Sequence, residues 1–247
     1  MSRLWKALCL ALGVFALGVF AASCGTGSSS FRIINAIANY NYLGTGGFDI
    51  TMNGGTFATS VVFPSVNPPG KDAYQHISPG SESLDVFPHA ITVGGTPVIE
   101  SSLSFSGHTQ YTVILMGNNT TNLYAAQPFS DNNIAPASGD FEFRVIHASS
   151  NLPTPVDVYI VGSPTIVTGP NPPPPTIPSL TYGQASAYIS NPAGSTWWLV
   201  VTNHTGHVPI INPTSYTPSA LQIETIVLPD GQNGFGPGAP LIYGDLN

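Results

Sequence analysis

Cysteine is almost missing from this chain. Its 247 residues contain two, Cys9 and Cys24, both within the first 24 positions. Everything downstream therefore lacks a disulfide, a thiolate metal site and a cysteine nucleophile. Basic residues are nearly as scarce: residues 25–247 hold three cations, Arg32, Lys71 and Arg144, against twelve acids, a formal balance of −9. So few cations exclude nucleic acid as a partner, because binding it requires displacing several phosphate counterions. The same balance excludes docking to anionic lipid by charge. Lys, Glu and Arg, which favour helices, are few, whereas Gly, Pro, Ser, Thr and Asn punctuate short apolar runs. That is the composition of an all-β chain, and its supply of Val, Ile, Leu, Phe and Tyr is too rich for disorder.

The one long apolar run lies at the start. Arg3 and Lys6 precede an uncharged stretch from Ala7 to Ala22, and small residues lead to Cys24, which is the layout of a secretory signal. A membrane-spanning helix is the competing reading, but no basic stop follows; the chain continues as "CGTGSSS". "AASC" resembles the lipobox of bacterial lipoproteins, with Ala21 where leucine is usual. The resemblance implies a signal peptide over 1–23, a lipidated Cys24 as first mature residue, and a flexible tether completing 24–30. Ordinary signal-peptidase cleavage near Ala22 is the alternative. An acylated Cys24 has membrane lipid as its partner, each buried methylene contributing about 0.8 kcal/mol, through a tether reaching about 20 Å. The expected location is the bacterial cell envelope, at the outer membrane or cell surface, or the medium if no lipid is added.

The mature chain repeats itself. "FRIINA" at Phe31 is matched by "FRVIHA" at Phe143, "FDITMNG" by "VDVYIVG", "AYQHISPGS" at Ala73 by "AYISNPAGS" at Ala187, "YTVILMG" by "ETIVLPD", and "LYAA" at Leu123 by "LIYGD" at Leu241. The spacing between partners stays between 108 and 118 residues, so two tandem domains are expected, over 31–137 and 138–247, meeting near "SDNNIAPASGD". Each copy is about 105 residues with frequent turns, the size and rhythm of an immunoglobulin-like antiparallel β-sandwich of roughly seven strands.

Alternation assigns the faces. Val156, Val158 and Ile160 point inward with Asp157 and Tyr159 opposite, as Phe48, Ile50 and Met52 do against Asp49 and Thr51. Two of the three mature cations occupy one repeat position, Arg32 and Arg144, and each copy has an acid at a matching strand. The expectation is that Arg32 pairs with Asp49 and Arg144 with Asp157, bridging neighbouring strands.

The second copy resembles the bacterial family known as domain of unknown function 4397. The resemblance rests on Arg144, His147, Ala148 and Ser149 of the first strand, Val156, Asp157, Val158 and Tyr159 of the second, Tyr182–Gly183, and the Pro192–Ala193–Gly194 turn. The first copy follows the pattern more loosely, with Asn35 in place of the histidine. The resemblance implies exported, often surface-exposed β-sandwiches in tandem, and no activity.

No catalytic constellation emerges. His147 reads as a structural hydrogen-bonding group, a role that Asn35 also fills. His204 and His207 in "NHTGH", even with His89, do not define a metal site, and no cofactor is implied. No pair among the twelve acids is singled out for glycoside chemistry, and neither a G-x-S-x-G elbow nor a phosphate loop is present. The proline run "GPNPPPPTIP" reads as a stiff extended loop. Trp197 and Trp198 are consecutive, so on a strand one faces the core and the other faces outward, covered by the neighbouring domain or free to stack on a sugar. The leading expectation is a non-enzymatic surface module for adhesion or contact with an envelope protein. A glycan-binding module comes second and a hydrolase or metal protein third.

Overall fold

The computed structural model describes residues 27–38, 47–69, 73–89, 95–117, 124–152, 155–204, 206–231 and 238–245. The expected signal segment and Cys24 lie outside the described residues. The first half forms β1 (Ser29–Asn35), β2 (Phe48–Met52), β3 (Gly55–Val61), β4 (Ser65–Asn67), β5 (Gln75–Ile77), β6 (Gly80–Pro88), β7 (Ile99–Phe105), β8 (Gln110–Met116) and β9 (Ala125–Ser130). The second forms β10 (Asp140–His147), β11 (Val156–Val161), β12 (Ile177–Leu180), β13 (Ile189–Pro192), β14 (Trp197–Asn203), β15 (Thr214–Tyr216), β16 (Ile223–Leu228) and β17 (Leu241–Gly244). Apart from one short 3-10 turn at Pro164–Ile166, every regular element among the described residues is a strand. The chain is all-β and is built from sandwiched sheets.

Each half contains two sheets. In the first, an inner sheet runs β4-β1-β8-β9, with β5 also on β1, and an outer sheet runs β3-β2-β6-β7. In the second the inner order is β13-β10-β16-β17 and the outer order β12-β11-β14-β15. Pairing is antiparallel except that β1 lies parallel to β8 and β10 parallel to β16. β1 begins at Ser29, so Ser29 and Ser30 belong to the sheet rather than to a free tether. The Ser30 N–H reaches the Thr109 carbonyl at 3.2 Å, and Ser29 and Ser30 both pair with β5.

Period-two alternation places the cores as expected. Phe31, Ile33, Phe48, Ile50, Val113 and Leu115 fill the first sandwich. Phe143, Val145, Val156, Val158, Ile226 and Leu228 fill the second.

The strands β1, β8, β10 and β16 are buried on their other face too, which is why they read as near-continuous apolar runs. That second face makes a third core. Ile34, Ala36, Ile114 and Met116 from the first half meet Ile146, Ala148 and Val227 from the second, flanked by Phe129 and Tyr243. The two inner sheets are thus pressed together back to back.

Candidate functional site

Charge is concentrated in that seam. On β1, Phe31 and Ile33 point into the sandwich, so Arg32 between them must point into the seam; on β10, Phe143 and Val145 do the same for Arg144. Both arginines are buried, and neither pairs as the sequence suggests. Arg32 forms a salt bridge with Asp245 and donates to the Gly244 carbonyl, at the end of the second copy. Arg144 forms a salt bridge with Asp131 and donates to the Ser130 carbonyl at 2.7 Å, at the end of the first copy. Each copy's arginine is thus neutralised by the segment that closes the other copy. The expected partners, Asp49 and Asp157, sit on the outer sheets, on the far side of each sandwich core from these guanidinium groups.

The surroundings repeat with the same exchange. Arg32 Nε donates to Thr112 Oγ1 at 3.0 Å and Arg144 Nε to Thr225 Oγ1 at 2.9 Å. Thr112 and Thr225 in turn donate to Asp131 and Asp245, each at 2.9 Å. The Tyr74 hydroxyl donates to Asp131 at 2.7 Å and the Tyr188 hydroxyl to Asp245 at 2.6 Å. Each tyrosine ring also lies against a guanidinium, at 5.2 Å for Arg32 over Tyr74 and 4.9 Å for Arg144 over Tyr188. The result is a quasi-two-fold cluster of two arginines, two aspartates, two tyrosines and two threonines.

Its electrostatics follow from burial. Burial, reinforced by the neighbouring carboxylates, pushes both phenols upward, so they remain donors at any physiological pH. Burial alone would lower the Arg144 guanidinium, but Asp131, Tyr188 and Asp245 together hold it above its ordinary value. Burial raises the Asp245 carboxyl, and Arg32 opposes that rise.

The expected acids have a different partner. Asp49 accepts from the Ser60 N–H at 2.9 Å and lies 2.8 Å from His89 Nδ1. Asp157 accepts from the Ser179 N–H at 2.8 Å and lies 3.0 Å from His204 Nδ1. Ser60 and Ser179 adopt left-handed backbone angles, φ 54° and 53°, at matching irregularities of β3 and β12. Each aspartate therefore caps a bulge on an edge strand and orients one half-exposed imidazole. Ser179 Oγ lies 3.1 Å from the same His204 Nδ1 that faces Asp157 and 3.4 Å from Nε2, so it sits closer to the nitrogen that Asp157 engages than to the opposite one.

Other candidates fall where packing needs them. His147 is buried, and its ring meets Tyr182 edge-on at 6.2 Å; its carbonyl accepts from the Gly183 N–H at 2.8 Å. Gly183 has φ 77°, the left-handed angle that the Tyr-Gly motif requires. Tyr159 is buried on the outer face of its sheet, with its hydroxyl 3.1 Å from His207 Nδ1. His204 and His207 therefore engage separate partners, and among the described residues no three His, Cys, Asp or Glu side chains converge as a metal set.

Trp197 packs against the second core and donates from Nε1 to the Pro192 carbonyl at 3.1 Å. Trp198 points the other way, against Tyr159, Val161, Val167 and Val200. Its cover among the described residues comes from its own copy, through the segment carrying Val167, rather than from the neighbouring domain. Both indoles remain half-buried.

On the open side of each sandwich a shallow groove separates the edge strands of its two sheets. One, of about 320 Å³, is lined by Ile177, Ser179, Leu180, Gln184 and Ile189. The other, of about 250 Å³, is lined by Phe31, Met52, Phe57, His76 and Glu82.

Sequence reading missed Asp131, Asp245, Tyr74, Tyr188 and the two threonines. Aligning "LYAA" with "LIYGD" hid the acids. In the structure Phe129 and Tyr243 take the same place opposite Thr112 and Thr225, so "PFSD" is the true partner of "IYGD". An aromatic, a small residue and Asp closing both copies was the available signal.

Comparison with known proteins adds a family and little else. Residues 29–159 match the family described as Domain of unknown function (DUF4397), a span running from β1 into β11. No curated protein matches. Among solved structures, the crystal structure of CBMbc, of family CBM26, from Eubacterium rectale Amy13K in complex with maltoheptaose aligns over 87% of this chain and 96% of its own, at 11% identity and a TM-score of 0.25.

Proposed function

The chain belongs to the family of domain of unknown function 4397, and from that premise we propose that it is an exported bacterial cell-envelope lipoprotein acting as a non-enzymatic binding or adhesion module. Cys24 carries the lipid, and the two sandwiches form one stiff body presented at the membrane.

The observation that carries this reading is the seam. Two of the three mature cations and two of the twelve acids are buried where the copies meet, holding one sandwich against the other. The chemistry most concentrated in the fold thus serves architecture. What the molecule offers to a partner is its outer surface, with the two edge grooves and an acidic balance.

Binding of the intact, lipidated tandem to a cell-envelope fraction tests the reading. Retention of specific envelope proteins by the full chain supports it. Turnover of hydrolase substrates by the purified chain, without envelope binding, contradicts it.

A glycan-binding reading has one observation in its favour, the partial exposure of both Trp197 and Trp198. Glycan binding that is lost in Trp198→Ala while the fold is kept would favour it over a protein partner.

A further inference from the structure

We infer that one particular end of the first sandwich faces the bilayer: the end formed by Gly27–Ser28 and the turns at 78–80, 106–109 and 132–134, with Ile134 entering the headgroup layer. This orientation rests on the lipid anchor proposed at Cys24.

The chain is already bound into the fold at its first described residues. Gly27 lies directly against the His108 ring, which a Cβ there would have to push aside. The His108 N–H reaches the Ser28 carbonyl at 3.3 Å, and the Ser29 hydroxyl donates to the Ser106 carbonyl. From Cys24 to Gly27 the chain spans at most about 10 Å fully extended. A lipid on Cys24 therefore brings this end of the first sandwich against the membrane.

The residues at that end suit the contact. Ser28 shares a surface hollow with Ser78 and Pro79. Thr109 leads to Gln110, whose carbonyl accepts from the Asp131 N–H at 2.8 Å and whose side chain accepts from Asn133. The Ile134 N–H then bonds the Asn132 carboxamide oxygen at 3.1 Å, a turn that presents Ile134 at 78% exposure, the most exposed large apolar side chain described. None of the twelve acids lies in these four stretches, although the mature chain carries a balance of −9. The nearest carboxylates are held, Asp131 by Arg144 and Glu142 by the Asn132 side chain at 2.8 Å, and a branched apolar side chain stands ready to bury itself at the acyl boundary.

Val62 provides the control. It is 45% exposed and follows β3 at the opposite end, near where Ser65 pairs with Asn35.

The test uses full-length lipidated protein in vesicles of phosphatidylethanolamine and phosphatidylglycerol, carrying an environment-sensitive maleimide probe at Ile134→Cys or at Val62→Cys. A lipidated Cys24 is a thioether, so only the introduced thiol reacts. Vesicle flotation is read in parallel. The expected result is a blue shift and quenching by acyl-chain-borne quenchers at residue 134, with neither at residue 62. Protein that floats with the vesicles but shows no quenching at residue 134, or equal quenching at both, overturns the orientation and leaves the anchor standing. Protein that does not float, with Cys24 itself labelled, overturns both.

Discussion

Asp131 closes the first copy, yet its carboxylate is the counterion of Arg144 in the second. Asp245 returns the arrangement to Arg32. Two sandwiches that would otherwise meet through a handful of apolar side chains are thereby fixed in one register, because each supplies the charge that the other has buried. A buried pair of this kind adds little net stability over a well-packed apolar contact, but removing one member strands the other.

Arg144→Ala should therefore cost on the order of 3–5 kcal/mol. In a double-mutant cycle Arg144 and Asp131 should couple strongly, while Arg144 and Asp157 should add independently. Urea unfolding of the four variants gives both numbers. Strong coupling to Asp157 would restore the pairing suggested by sequence.

Tyr74→Phe and Tyr188→Phe each remove a hydroxyl donor to a buried carboxylate and keep the ring over its arginine. Each should lose about 1.5–3 kcal/mol, the range for hydrogen bonds to charged groups. The two losses should be similar, since the sites are related by the repeat. A large loss at one and none at the other would show that the two ends of the seam are not equivalent.

Glu224 lies in the second core facing Tyr216, where Tyr111 stands in the first copy. Burial foremost, and then the charge of Asp245, push its carboxyl up to about 7. An acid raised on folding binds its proton more tightly in the folded state, so it destabilises the fold as pH rises from the ordinary carboxylate range through about 7. Relative to the wild type, Glu224→Gln should gain stability at pH 8 and little at pH 4. Urea midpoints at the two pH values check this, and a pH-independent difference would contradict it.

Asp157→Ala should cost about 1–3 kcal/mol, because the Ser179 N–H is left without its acceptor at the bulge. Asp49→Ala should do the same through Ser60. Thermal unfolding reads both. A neutral result at both positions would mean that water satisfies the bulges.

The strands and their inward faces were legible because Phe48, Ile50, Val156 and Val158 alternate cleanly with polar neighbours. The repeat was legible through "FRIINA" and "FRVIHA". The seam was not. Arg32 and Arg144 look alike whether they bond within a copy or across two, and alternation along β1 says only that Arg32 leaves the core, not what it meets. The acid on the matching strand, Asp157, was the natural choice for Arg144 by sequence, whereas the true partner, Asp131, lies equally close on the other side and closes the preceding copy. For Arg32 the true partner, Asp245, lies at the far end of the other copy. The continuous apolar character of "FRVIHA" carried the missing information, since a strand with one solvated face would not hold Ile146 and Ala148 on the same side as a buried arginine.

The most direct measurement is the intact mass of the protein extracted from native membranes, compared with Cys24→Ser. A chain beginning at Cys24 and carrying a diacylglyceryl mass that is absent from the serine variant is the expected result. A wild-type chain beginning near residue 23 with no added lipid would contradict the anchored module and make this a freely secreted protein.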